Sequence, residues 1–342
     1  MQGWKRKSES KKKFDRHRKL EKKQRKYYDK NTKLARKDRK LVDKNYIQKQ
    51  GKVEHCSVNA TAHYSNDLAQ SVWVPHHDQQ PSQEYFITRY KVHLAGVHNE
   101  ATKEQINYVI GESELLNKGP NGVLSLVFNA IKQFNRGEKH LKINCDNSAG
   151  QNKNKVSLWL YSCLVIKGYH ETIEQNFMMK GHNKSKVDGN FGMIKRRYKK
   201  STVYNIEQFA EVVRKSSPEG YNKVQLYENG KGFNYYDFKE KLEPYFARLP
   251  SIGKYHHFLI ENSNFGVVKV KEFVDSPWIE IDLLKDDGRE REEVIEEIRN
   301  LVFTILTPKP LSLERQEYLH KKIRPLLPEK YWNTLPLPVL QC

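Results

Sequence analysis

The sequence predicts an α/β protein: a five-stranded mixed sheet with helices on both faces, a basic helical arm before it and a smaller β-hairpin and helical module after it. Three observations carry that prediction. Between about residues 58 and 200, β-branched and aromatic runs of strand length alternate with segments of helical apolar period. Ahead of them lies a block of charge: residues 1–50 contain 21 Lys and Arg against six Asp and Glu, which is +15 of the chain's net +20. Beyond residue 200 the pattern becomes mixed and ends in helical stripes. The 342 residues suffice for one sizeable core and a smaller module. The boundaries fall at 1–57 for the arm, 58–200 for the core and 201–342 for the C-terminal module.

In the arm, Leu20, Tyr27, Leu34 and Leu41 recur every seven residues beside Tyr28, Ala35 and Val42, so a long helix is expected. The positions that would complete a coiled-coil seam, Gln24, Asn31 and Asp38, are polar, which argues against a zipper. In the core, Val58 to Leu68 reads as a strand, Tyr85 to Val97 as one or two more, and Gln105 to Glu112 as another. Val123, Val127, Ile131 and Phe134 share one helical face, and Gly137 ends that helix. Leu141 to Cys145 is a short buried strand. Asn152 to Ile166 is apolar almost all the way round, as in a buried helix closed by Gly168. Ile173 to Met179 is the last core strand, and a helix begins near Asp188. In the module, Asn205 caps a helix carrying Phe209, Val212 and Val213. Phe258 to Phe273 forms a hairpin around Asn262-Ser263-Asn264. A stripe from Val294 through Ile298 to Ile305 and a shorter helix from Leu313 to Ile323 close the chain, and no internal repeat is present.

Composition narrows the function. No apolar run approaches the ~20 residues of a membrane helix, so no membrane partner is expected. The four cysteines, Cys56, Cys145, Cys163 and Cys342, lack paired spacing, which argues against a zinc ribbon or a disulfide framework. His76-His77 and His256-His257 lack ligand spacing and read as surface or loop residues. The basic block calls for a polyanion, and nucleic acid is the usual one, because each cation placed on a phosphate releases condensed counterions.

Three aspartates stand where the strand order would bring them together. Asp67 ends the first strand, Asp146 follows the short buried strand, and Asp188 opens the next helix. Asp78 is close enough in sequence to replace Asp67, and Glu100 and Glu112 are spare carboxylates. If the first and fourth strands are neighbours, as in an RNase H-like order, the three carboxylates converge and suit Mg²⁺ or Mn²⁺, which prefer hard oxygen ligands. Two such ions would then serve phosphodiester chemistry. Around them, Asn147, Gln151, Asn152 and Lys153 are placed to meet a phosphate at the start of a helix. His182 is a candidate phosphate contact or proton shuttle. On the Asp188 helix, Val187, Phe191, Ile194 and Tyr198 form the packing face, and Lys195, Arg196 and Lys199 present charge to nucleic acid. Gly189 and Gly192 weaken that helix and suggest a close backbone approach.

The run Cys145-Asp146-Asn147-Ser148-Ala149-Gly150-Gln151-Asn152-Lys153-Asn154 resembles the D-N-C-A-G-Q-N-K-N signature of an uncharacterised, transposon-derived family of animals and fungi. Asp67-Leu68-Ala69-Gln70, Tyr108 to Glu112, Lys118-Gly119, Gly181-His182-Asn183-Lys184, Phe191-Gly192, Leu313-Glu314-Arg315-Gln316 and Lys322-Ile323-Arg324-Pro325 are similar to it as well, so the likeness covers most of the chain beyond residue 55. One departure is Ser148, where that family usually has cysteine. The resemblance implies an RNase H-like fold distantly related to DDE-type transposases and integrases. It also implies a triad of Asp67, Asp146 and Asp188, with 41 residues between the last two. Members often carry further N-terminal regions, so a truncated or domesticated copy is expected. The expected activity is cleavage and strand transfer of DNA in the nucleus by a dimer on two DNA ends. The rival expectation is a domesticated, inactive DNA-binding or scaffolding protein, and a nuclease acting on RNA-containing substrate is a second one.

Overall fold

The computed structural model describes residues 2–79, 86–179 and 185–335, with the backbone alone at residues 2–10, 12 and 13. In chain order the elements are α1 (Gln2–Gln48), β1 (Val58–Leu68), β2 (Val72–Val74), β3 (Tyr90–Asn99), β4 (Gln105–Gly111), α2 (Pro120–Phe134), β5 (Glu138–Cys145), α3 (Lys155–Ile166), β6 (Thr172–Phe177) and α4 (Lys186–Tyr198). There follow α5 (Ile206–Arg214), β7 (Asn222–Leu226), β8 (Tyr235–Tyr236), α6 (Phe238–Leu242), β9 (His257–Glu261), β10 (Val267–Lys271), β11 (Ile279–Asp282), α7 (Arg291–Asn300), β12 (Ile305–Leu306) and α8 (Leu313–Tyr318).

The protein is α/β, with a mixed central sheet flanked by helices. Its middle five strands run β4-β3-β1-β5-β6: β1 pairs antiparallel with β3 and parallel with β5, and β5 pairs parallel with β6. The sheet is wider than the five strands expected, with ten among the described residues. β7 adds parallel to β4 at one edge. At the other edge the hairpin β9-β10 adds antiparallel to β6 and carries β11 with it. The hairpin read from the sequence therefore continues the central sheet. The predicted helix after Val294 is shorter than its stripe: α7 stops at Asn300, and Val302 is exposed while Ile305 enters β12. α8 ends at Tyr318 and passes into a π turn over Leu319–Ile323.

Alternation along the strands sorts side chains onto two faces. Ala62, Tyr64, Leu141, Ile143 and Ile173 point to a core covered by α2, α3, α6 and α7. The α3 helix lies so deep that every residue from Val156 to Ile166 is buried, as its uniform apolarity predicts. Asn154 caps it, accepting from the N–H groups of Val156 and Ser157. On the opposite face, α4 and α5 pack Val187, Phe191, Ile194, Phe209 and Val213 against Val92, Leu94 and Val109.

The rest of that second face is polar, and α1 covers it. Gln24, Tyr28, Asn31, Thr32, Ala35 and Val42 are buried there, whereas Leu34 and Leu41 are exposed. The seam thus keeps Tyr28, Ala35 and Val42 of the expected stripe but turns Leu34 and Leu41 out and takes in the polar Gln24 and Asn31, because the sheet beneath offers His63, Ser65, Glu100, Glu174 and His257 as partners. Buried polar groups of this kind require hydrogen bonds. Tyr28 donates to Glu100 and Tyr27 to Glu174. Thr32 meets His63 Nδ1 at 3.2 Å, and the Asp38 carboxylate accepts from the Thr61 N–H at 2.9 Å. His257 is accordingly a fully buried strand residue, not the surface histidine expected.

Candidate active site

The carboxyl ends of β1 and β5 lie side by side, with Asn66 paired to Cys145 in parallel register. Asp67 follows Asn66 within β1, and Asp146 follows Cys145 just beyond the end of β5. Asp67 also sits opposite Gly96 of β3. A Cβ at Gly96 would stand 2.8 Å from Val187 Cγ2 and from Phe191 Cζ, so the missing side chain lets α4 lie directly on the sheet. The first turn of α4 carries Asp188 to the same edge. The close approach thus falls at Gly96, whereas Gly189 and Gly192, where it was expected, have open space around them.

Electrostatics register the convergence. The Asp67 carboxyl is raised to about 6, first by burial and then by the charges of Asp146 and Asp188, against the lowering effect of the Leu68 N–H. All three aspartates are half-buried. Asp78 is exposed and accepts from its neighbour's N–H, which removes it as a substitute for Asp67. Glu112 is held by Arg315 Nε at 2.8 Å, and the same guanidinium donates to the carbonyls of Thr88 and Arg89. Glu100 lies fully buried beneath α1.

Each aspartate is oriented by a neighbour. Asp67 Oδ1 accepts from the Leu68 N–H at 2.8 Å. Asp146 Oδ1 accepts from Asn152 Nδ2 at 2.7 Å, and Asn152 Oδ1 in turn accepts from Asn66 Nδ2 at 2.9 Å. Asp188 Oδ2 accepts from the Ser185 N–H at 2.7 Å, closing a capping box at the start of α4. In this side-chain arrangement no three His, Cys, Asp or Glu groups among the described residues stand close enough to ligate one ion together. Asp67, Asp146 and Asp188 are half-buried carboxylates, the hard oxygen donors that a divalent cation such as Mg²⁺ takes. The Asp188 carboxylate would have to turn out of its capping bond to join the other two.

The segment after Asp146 departs from expectation. Residues 149–152 form a turn, and α3 begins only at Lys155, so Asn147, Gln151 and Asn152 do not lie at a helix N-terminus. Asn147 donates to the Met178 carbonyl, while Gln151 is half-buried. Asn152 is buried as the bridge just described. Lys153 is also buried, and its ammonium donates to Asn147 Oδ1 and to the Gly253 carbonyl, each at 3.1 Å. Burial lowers it to about 8. It braces the turn and is not the outward phosphate contact expected. His182 lies outside the described residues. Lys195 is half-buried with its ammonium 3.5 Å from Gln70 Oε1, and Arg196 and Lys199 are exposed.

Asn66 and Tyr28 are site-supporting residues that the sequence reading missed, and Glu100, read there as a spare carboxylate, supports the site from beneath α1. Tyr28 donates to Glu100 from the buried side of α1. Glu100 accepts from Ser65 at 2.7 Å, two residues before Asp67. The signal available was an uncharged stripe, Gln24, Tyr28, Asn31, Thr32 and Ala35, in a helix otherwise crowded with lysine and arginine.

These features define the chain as an α/β protein whose mixed central sheet is flanked by helices, with Asp67 and Asp146 at the carboxyl ends of neighbouring central strands. A family model described as a domain of unknown function (DUF7869) matches residues 83–276, just over half of the chain, and the protein belongs to that family. The matched span contains Asp146 and Asp188 but neither Asp67 nor α1. No curated protein and no solved structure matches the chain. No helix among the described residues is long and apolar enough to cross a membrane.

Proposed function

We propose that this chain is a transposase-derived, RNase H-like nuclease that cleaves DNA phosphodiesters with the help of divalent metal ions. The observation that carries the reading is the parallel register of β1 and β5, which sets Asp67 beside Asp146, while α4 lying on Gly96 brings in Asp188. The strand order β4-β3-β1-β5-β6, a meander followed by two parallel strands, is the order the RNase H-like reading requires.

In this reading the three aspartates hold Mg²⁺ or Mn²⁺, and two such ions would activate the attacking oxygen and stabilise the leaving oxygen. The protein's own groups do the positioning. Asn152 fixes one oxygen of Asp146 and is itself held by Asn66. The Ser185 N–H and the packing of Val187 and Phe191 place Asp188. Exposed Arg196 and Lys199 offer cations to the substrate backbone. Action on two DNA ends by a pair of chains, and a nuclear site of action, belong to the same proposal.

The test is nicking of supercoiled plasmid with Mg²⁺ or Mn²⁺ by the wild type and by Asp146→Asn. Metal-dependent nicking that disappears in the variant is the expected result. Salt-sensitive DNA binding with no nicking under either metal would replace this reading with that of a DNA-binding protein that keeps the fold without the reaction.

A further inference from the structure

Two basic helices leave the carboxylate edge, one on each side. α1 runs antiparallel to β1: Asp38 meets Thr61, Thr32 meets His63, and Tyr28 reaches Ser65 and Glu100. Four residues further toward the N-terminus, Gln24 donates to the Phe177 carbonyl at 2.8 Å and meets His257 Nε2 at 3.2 Å. Phe177 pairs with Cys145, so Gln24 is level with the aspartate that follows Cys145. Upstream of Gln24 the helix continues to Gln2. At 1.5 Å per residue that projection is about 33 Å long. Residues 2–22 contain ten Lys and Arg against three acidic residues. Among the side chains described, Lys11, Arg16, Arg18, Lys19 and Lys22 are exposed.

On the other side, α4 carries Asp188 in its first turn and runs past the same edge. Its Lys195 stands against Gln70, and its Tyr198 hydroxyl donates to the Trp73 carbonyl, three and six residues beyond Asp67. The carboxylates therefore lie between two cationic helices that point the same way.

We propose that the projecting half of α1 is a backbone-binding surface for duplex nucleic acid, which it guides to the carboxylates while α4 holds the opposite side. The placement of the scissile phosphate rests on the nuclease reading; the binding surface itself does not. The projection is about as long as one turn of a duplex, roughly 34 Å. A membrane-surface helix needs a continuous apolar face, and between residues 11 and 23 the apolar side chains are only Phe14 and Leu20.

The experiment uses the full chain carrying Arg16→Gln, Arg18→Gln, Lys19→Gln and Lys22→Gln together. A control removes as much charge from exposed lysines elsewhere, with Lys215→Gln, Lys231→Gln, Lys239→Gln and Lys285→Gln. Binding to a fluorescently labelled duplex of about three helical turns is followed by anisotropy as salt is varied. Each lost phosphate contact removes about 0.9 from the slope of log affinity against log salt. The arm variant should bind at least about tenfold more weakly at moderate salt, with its slope smaller by roughly 3 to 4, while the control keeps the wild-type slope. Equal slopes in the arm variant and wild type, or equal losses in arm variant and control, would overturn the proposal. The outcomes separate from those of the nuclease reading: nicking with an unchanged slope removes the arm proposal alone, and a reduced slope without any nicking removes the nuclease reading alone.

Discussion

The absence of one side chain shapes the candidate site as much as the presence of three carboxylates. Gly96 lets Val187 and Phe191 come down on β3, and that contact sets where Asp188 stands relative to Asp67. Gly96→Ala places a methyl group 2.8 Å from three side-chain atoms of well-packed neighbours. The expected cost is about 1–3 kcal/mol, the usual penalty for overpacking, and a melting temperature lower by several degrees. Gly189→Ala has the opposite sign. Its Cβ meets nothing within 4 Å, and alanine is better than glycine inside a helix by about 0.8–1 kcal/mol. Thermal melts of the two variants beside wild type check both; a Gly96→Ala protein as stable as wild type would show that α4 can slide without strain. Asp67, Asp146 and Asp188 were legible from strand ends and helix starts, because such positions follow from local patterns. Gly96 was not: its role depends on which helix crosses above it, which no window of sequence around residue 96 records.

For elements, α1 is the instructive case. Its apolar heptad suggested where it would bury a face, yet Leu34 and Leu41 face solvent while Gln24 and Asn31 are buried. The reason lies in the sheet beneath, whose strand face toward α1 is built from the buried His63, Ser65, Glu174 and His257 and demands polar partners. That demand ties the docking of α1 to pH. Burial lowers His63 to about 4, with Asn144 and Glu174 raising it and Lys142 and Arg36 lowering it. Burial lowers His257 to about 3, with Glu174 raising it and Lys271, His256 and Lys142 lowering it. Both imidazoles are therefore neutral in the folded protein at pH values where the unfolded chain already binds protons. The stability they confer is complete above the ordinary histidine value of about 6.5 and is lost as pH falls from there toward 4. Each group contributes a slope of about 1.4 kcal/mol per pH unit inside that window. Glu174, whose pKa is lowered mainly by Lys142 against the opposing effect of burial, adds a loss of the same sign at lower pH. Thermal melts between pH 7 and pH 4, with amide exchange of residues 24–46 followed in parallel, should show stability falling and α1 loosening together. Stability that is flat from pH 6.5 to pH 4.5 would mean that these histidines are not held neutral.

Across the whole molecule, the succession along the chain of the five middle strands and the helices between them was readable because each element announces itself within a dozen residues, whereas their spatial order was only a conditional expectation. Val58–Leu68 has the bounds its alternation suggests, and the α3 segment is buried all round as its composition requires. The width of the sheet was not readable. β7 pairs with β4 across more than a hundred residues, and the hairpin β9-β10 extends β6, so a segment that looked like a separate module completes the central sheet. The consequence is a single mechanical frame: the Gly253 carbonyl just before β9 holds Lys153, and Lys153 holds the Asn147 turn beside Asp146. A cation bound at the aspartates would therefore stabilise the molecule as a whole. The mutual repulsion that helps raise Asp67 to about 6 would be relieved by a divalent ion bound to these carboxylates, as the proposed function requires. A ligand present at about 100 times its dissociation constant adds about 2.7 kcal/mol to stability. Titrating Mg²⁺ or Mn²⁺ at neutral pH should raise the melting temperature of the wild type in a saturable way. The same titration of Asp146→Asn, which keeps an amide of equal size next to Asn152, should give a much smaller rise. Equal shifts in the two proteins would place the ion somewhere other than the carboxylate edge and remove the metal from this site.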